Sequence, residues 1–209
     1  MSASIQAVSS PTSQYNGSAF WERLWRMSGI NFVVFIVIAY ALAGFHEGDR
    51  TWTAIAAVIA GMAVLNLLWF AAALRTTLAD AGLGGWGAAA TASSSAFGTL
   101  FLLLIASVVT GLNEFTQSGL VLTSFPRAML IMSGSFGFWR ARLISNSTFA
   151  GAVAIVVLVL LGGTTWAAEG FWAPDGAYSR FVSPALGLFW IVGASRILLS
   201  RSPATRSGW

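Results

Sequence analysis

The sequence predicts an all-α polytopic membrane helix bundle with six transmembrane helices, and three observations carry that prediction. Of 209 residues, 56% are hydrophobic and only 9% charged, against roughly a quarter charged in an ordinary soluble domain. Six apolar runs approach the length of about 20 residues that about 30 Å of hydrocarbon requires at about 1.5 Å per residue. The arginines that separate those runs fall mainly on one side of the implied membrane.

The elements follow in order. Residues 1–19 are rich in Ser, Gln and Thr, contain Pro11 and carry no charge, which predicts a disordered cytoplasmic tail. In FWERLWRM, Phe20, Trp21, Leu24 and Trp25 share one helical face while Glu22, Arg23 and Arg26 take the other. That pattern predicts a short interfacial turn leading into the first span. No basic residue precedes Arg23, so a cleavable signal peptide is not expected and the first span itself serves as the targeting signal. A membrane domain over residues 20–200 then contains spans at about 28–45, 52–74, 86–112, 120–139, 148–168 and 181–200, with a cytoplasmic tail at 201–209. The fourth run is the weakest, because Pro126 and Arg127 interrupt it.

Charge tests the count. All eleven basic residues are Arg, and with seven acids they leave a net charge of +4. With a cytoplasmic N-terminus, Arg23, Arg26, Arg75, Arg140, Arg142, Arg196, Arg201 and Arg206 lie inside. Only Arg50 and Arg180 lie outside, and Arg127 is unassigned. Glu47, Asp49, Glu114, Glu169 and Asp175 fall outside under the same scheme. Trp25, Trp52, Trp69, Trp86, Trp139, Trp166 and Trp172 sit mostly near span ends, where an indole suits the interface, and Trp190 is a mid-span exception. The arginines form no basic run over which phosphates could lie, so no nucleic-acid partner is expected.

Reactive chemistry is scarce. With no Cys and one His, there is no thiolate nucleophile, iron–sulfur site or Cys-ligated zinc. His46, Glu47 and Asp49 in HEGDR could gather on a divalent cation, but a short loop between membrane helices must be polar in any case, and the solvated loop is preferred. No HExxH occurs. The run SGSFG around Ser135 is not GxSxG and reads as a helix-packing surface. Small-residue stripes, Thr53/Ala57/Gly61 in span two and Ala90/Ser94/Gly98 in span three, read the same way. No cofactor, metal or catalytic residue is expected.

The remaining leads are intramembrane polar residues. Asn31 and Tyr40 lie in span one, Asn66 in span two, Ser93 to Ser95 in span three and Arg127 in span four. A polar site between the helices would draw on Asn31, Asn66, Ser94, Arg127 and Glu114. Arg127 has two readings. With Ser124 as helix N-cap and Pro126 in the first turn, it snorkels to the outer interface. Alternatively it is buried and paired with Glu114, or with Glu47 or Asp49. Two three-span halves, 20–112 and 120–200, would have opposite orientation as in many transporters, though their sequences do not match one another.

The stretches NLLWFAAALRTTLADAG and SFPRAMLIMSGSFGFWRARLISN resemble those of uncharacterised bacterial six-span membrane proteins grouped as a domain of unknown function. The resemblance covers most of residues 20–200. It implies an integral membrane fold in a bacterial inner (plasma) membrane and no activity or site residues. The expected role is non-enzymatic, a packing or accessory protein partnered by the lipid bilayer and by other membrane subunits or a second copy. The alternative is a small transporter or channel with a polar site between the helices. A lipid-modifying enzyme using His46 and the outer acids is the least supported class.

Overall fold

The structure, a computed structural model, describes residues 16–46, 48–111, 119–163, 169–174 and 176–200, with side chains from Arg23 onward. Glu47, Glu114, Asp175, most of the expected N-terminal tail and the whole of the C-terminal one lie outside the described residues. So does the end of the expected fifth span.

Six long helices and no strand occur among the described residues: α1 (Asn16–Phe45), α2 (Arg50–Asp80), α3 (Gly84–Thr110), α4 (Ser124–Arg140), α5 (Asn146–Leu161) and α6 (Ser183–Leu199). A π-helical turn, Tyr178–Val182, leads into α6. The described residues are therefore all-α, with four helices among them long and apolar enough to cross a membrane: Arg23–Phe45, Arg50–Asp80, Gly84–Thr110 and Tyr178–Leu199. At 17 and 16 residues, α4 and α5 extend only about 24 to 26 Å. Proline explains the start of α4. Pro126 has no N–H to offer the Leu122 carbonyl, so the helix relaxes into a turn at Thr123. Helix already runs through residues 119–122, and bonds from the Thr123 N–H to Gly119 O (3.1 Å) and from the Arg127 N–H to Thr123 O (3.2 Å) carry the chain across the turn. At the other end of the chain, residues 20–27 are an integral part of α1 and not a separate interfacial turn.

Each helix packs on the next, and α6 returns to α1, closing a ring. Contacts among α2, α4 and α6 place these three at the centre and leave α1, α3 and α5 outside. Burial follows that plan. Along α2 the buried residues run from Ala56 through Phe70 and Leu74 to Leu78, whereas α5 buries only Ala152 and Val159.

Small residues decide how closely the central helices meet. A Cβ added at Gly134 would stand 2.7 Å from the Trp190 ring, and one at Gly137 would stand 2.6 Å from Leu78. Trp190 of α6 thus rests directly on the α4 backbone, its ring edge on Phe70 of α2 at a centroid distance of 6.3 Å. Its Nε1–H donates to Ser135 Oγ at 2.7 Å. The SGSFG run is the seat of this indole, which explains a tryptophan far from either interface. The two sequence stripes part company. Ala90 and Ser94 are buried, and Gly98 brings α3 onto Val64 of α2, where a Cβ would stand at 3.0 Å. Gly61 meets open space, while Thr53 and Ala57 face a cavity.

Polar and aromatic contacts gather at the end of the bundle where α1 begins. Toward the N-terminal end of α1, Arg26 Nη1 donates to Leu198 O at 2.8 Å. Near the α4–α5 corner, Trp139 stacks on Phe149 at 5.0 Å and Trp86 lies on Phe136 at 4.3 Å.

Gly134→Val is expected to force the indole off its seat and to destabilise the protein by about 1 to 3 kcal/mol, whereas Gly61→Val, in open space, leaves stability unchanged. Thermal unfolding in a neutral detergent compares the two. Equal melting temperatures for both variants and the parent would contradict the packing described here.

Candidate functional site

Of the described polar residues singled out from the sequence, Tyr40 and Arg127 line one space, and Asn31, Asn66 and Ser94 do not join them there. Asn66 Nδ2 donates to Met62 O at 2.9 Å and Ser94 Oγ to Ala90 O at 2.9 Å, each one turn back along its own helix. Such back-bonding satisfies the polar group locally. Asn31 is half-buried, and none of the three lines the cavity described below. Glu114 is outside the described residues.

His46 and Asp49 of HEGDR are committed to helix ends. Asp49 Oδ1 accepts from the N–H groups of Thr51 (2.8 Å) and Trp52 (3.4 Å), which makes it the N-cap of α2. The His46 ring stacks on Trp52 at 4.3 Å, with Nδ1 3.3 Å from Leu42 O. The sequence suggests a loop whose residues can be replaced freely. Instead, Asp49→Ala removes a cap, with a loss of about 1 kcal/mol expected.

Arg127 does not snorkel. The side chain is 5% exposed, and Nη2 donates to Ser124 Oγ and Ser183 Oγ, both at 3.0 Å. Ser124 is thus an acceptor for the guanidinium and not a helix cap. Thr123 holds the cap position and makes no side-chain cap bond. Ser183 Oγ in turn donates to Val159 O at 3.4 Å. The Phe97 ring lies 6.0 Å from the guanidinium carbon, within the range of a cation–π contact. Room for the stem comes from Gly187, where a Cβ would stand 2.6 Å from Arg127 Cδ. Three helices, α3, α4 and α6, therefore meet on one cation, and α5 joins them through Ser183. Among the described residues no carboxylate pairs with it, and Nε is buried with no hydrogen-bond partner.

Arg127 lines the smaller of two adjacent pockets that share wall residues, the two lobes of this half of the bundle. The smaller, about 340 Å³, lies among Phe32, Ile36, Tyr40, Phe97, Arg127 and Ile191. The larger, about 560 Å³, runs between α1, α2 and α3 along Ala39, Thr53, Ala57, Leu104 and Val108. Tyr40, Phe101, Leu120, Arg180 and Phe181 border both lobes. Two local features open this half of the bundle. The side chains that join α2 to α4 and α6 are Phe70, Leu74 and Leu78, all in its C-terminal half, while its N-terminal half presents alanines and Thr53 to the larger lobe. The π-helical turn adds a residue before α6 and sets Arg180 and Phe181 at the rim. Tyr178 Oη bonded to Leu158 O (2.8 Å) and Ser179 Oγ bonded to Gly162 O (3.4 Å) pin the turn to the end of α5. Such turns recur at functional sites.

Sequence reasoning missed Ser183, Gly187 and Arg180 as parts of this site. Ser183 and Gly187 are ordinary small residues of an apolar run, and Arg180 reads as a loop charge. The usable signal was the spacing of Arg180 from Pro184, which puts a cation one turn ahead of a helix start. Compared with protein-family models, with curated proteins and with solved structures, the chain matches none.

A buried guanidinium held by hydroxyls and a ring face, with no carboxylate, carries a desolvation penalty. Replacing it with an apolar side chain of similar reach should relieve that penalty, because no acid is left behind. Arg127→Met is therefore expected to unfold at the same temperature as the parent or a higher one. A drop equivalent to more than about 1 kcal/mol would instead show that the guanidinium is a net contributor to stability.

Proposed function

We propose that the chain is a six-span, non-enzymatic membrane protein of a bacterial inner membrane, with both termini cytoplasmic, and that it binds an anionic ligand in its two-lobed cavity. The observation that carries the proposal is Arg127: a buried cation with an unpartnered Nε–H on the wall of an apolar cavity. An ionisable group kept inside a membrane domain at a stability penalty has its most direct explanation in a ligand. Apolar walls with a few convergent polar groups, at volumes of this size, are the usual build of a small-molecule site.

This favours a ligand-binding or transport role over a purely packing or accessory one. Gly98, Gly134 and Gly137 are already used inside the chain, so they offer no docking face to other subunits. The bundle is joined by Trp190 and Leu78 at one end and open at the other, the arrangement of a carrier or receptor accessible from one side. For six spans, α4 gains length from the helical residues 119–122 ahead of it, and the arginine distribution supports the orientation.

Native mass spectrometry of the full chain released from its own membranes tests the binding proposal. The parent should retain a small-molecule mass that Arg127→Met has lost. Identical spectra for the two would overturn it. Orientation has a separate test: reporter fusions after Gly82 and Gly208 should report cytoplasm and one after Thr116 should not.

A further inference from the structure

Resting on that anion-binding proposal, we infer that the ligand is a single-chain amphiphile with a carboxylate head, its head on Arg127 in the smaller lobe and its tail in the larger. The head follows from what Arg127 has left to give. Nη2 is already divided between Ser124 and Ser183, which leaves the Nη1 donors and the buried Nε–H without a partner among the described residues. One positive charge with Nη1 free to donate matches a small, flat monoanion, and Tyr40 on the same wall can supply a further donor from its phenol.

A phosphodiester lipid fits less well. Its ester oxygens and two acyl ester carbonyls would all need donors, whereas beyond Arg127, Tyr40 and Arg180 the walls are apolar or, at Thr123, already bonded to Leu120 O, and each buried acceptor left unpaired is penalised. An inorganic anion or a short carboxylate fits the head but not the rest. The larger lobe, about 560 Å³, is walled by alanines, Leu104 and Val108, which gain nothing from a polar occupant but match an alkyl chain.

Arg180 gives the cavity its direction. It borders both lobes, is exposed, and carries the second positive charge of the cavity wall. From that position it attracts an anionic head toward the opening and then yields it to Arg127, a role that shows in the rate of binding more than in its strength. The tail then lies along the smooth alanine wall of α2, where Ala57 and Thr53 leave space that longer side chains would fill.

The test is a thermal-shift titration of the full chain in a non-ionic detergent with hexadecanoate, its methyl ester, acetate and phosphatidylglycerol. Hexadecanoate should raise the unfolding temperature in a saturable way, as a ligand selective for the folded state must. The methyl ester and acetate should leave it unchanged. Arg127→Gln should abolish the shift, while Arg180→Gln should slow association by about tenfold in stopped-flow measurements at low salt and lose that difference at high salt. A shift of equal size with the methyl ester would overturn the carboxylate. A response to acetate as strong as to hexadecanoate, or to phosphatidylglycerol alone, would overturn the single-chain ligand while leaving anion binding at Arg127 in place. No Arg127-dependent response to any of the four, together with unchanged native masses, would overturn both proposals.

Discussion

The seating of Trp190 on the bare backbone of Gly134 is the constraint from which the rest of the architecture follows. An indole of this size can lie between three helices only if one of them has no side chain at the point of contact. Its Nε1–H must also find an acceptor away from water, and Ser135 provides it one residue along. With this contact made, Leu78 closes over Gly137 and Phe70 over the ring edge, so α2, α4 and α6 are fixed at one end. Lipid supplies no hydrophobic drive for helices to associate, so close van der Waals approach and buried hydrogen bonds of this kind must hold the bundle together.

Fixing one end leaves the other free to diverge. Past Phe70, α2 presents alanines where a larger side chain would be needed to reach α4 and α6, and the π-helical turn displaces the start of α6. The resulting space coincides with the one buried charge among the described residues. Ser124, Ser183 and Phe97 hold the guanidinium without neutralising it. Hydroxyl and ring contacts orient the group and leave its net charge in place.

Fold class was legible because it depends on composition and run length, which a single sequence states directly. Helices α1 to α3 lie where their apolar runs put them. Other features depend on partners distant in sequence. Nothing in SGSFG says which residue will rest on it, and nothing around Trp190 says that it will find a serine 55 positions earlier. The small-residue stripe of span two reads like that of span three, yet only the latter packs, because opposite it stands Val64 and opposite the former stands a cavity. Arg127 was visible as an anomaly from the start. Its environment was not, since Ser183 and Gly187 become relevant only when α6 is laid beside α4. Asn66 and Ser94 looked like candidates for contact across helices and instead bond their own backbone, an outcome that residue type alone leaves open.

The central claim is that Arg127 is a buried cation reserved for a ligand and not half of an internal ion pair. An experimental density map of the full chain in a lipid nanodisc tests this most directly. The account predicts elongated density that starts at the Arg127 guanidinium and continues between α1, α2 and α3, with Ser124 and Ser183 still on Nη2. A carboxylate of the chain itself seated on the guanidinium, with the space between α1 and α3 filled by side chains, would contradict it.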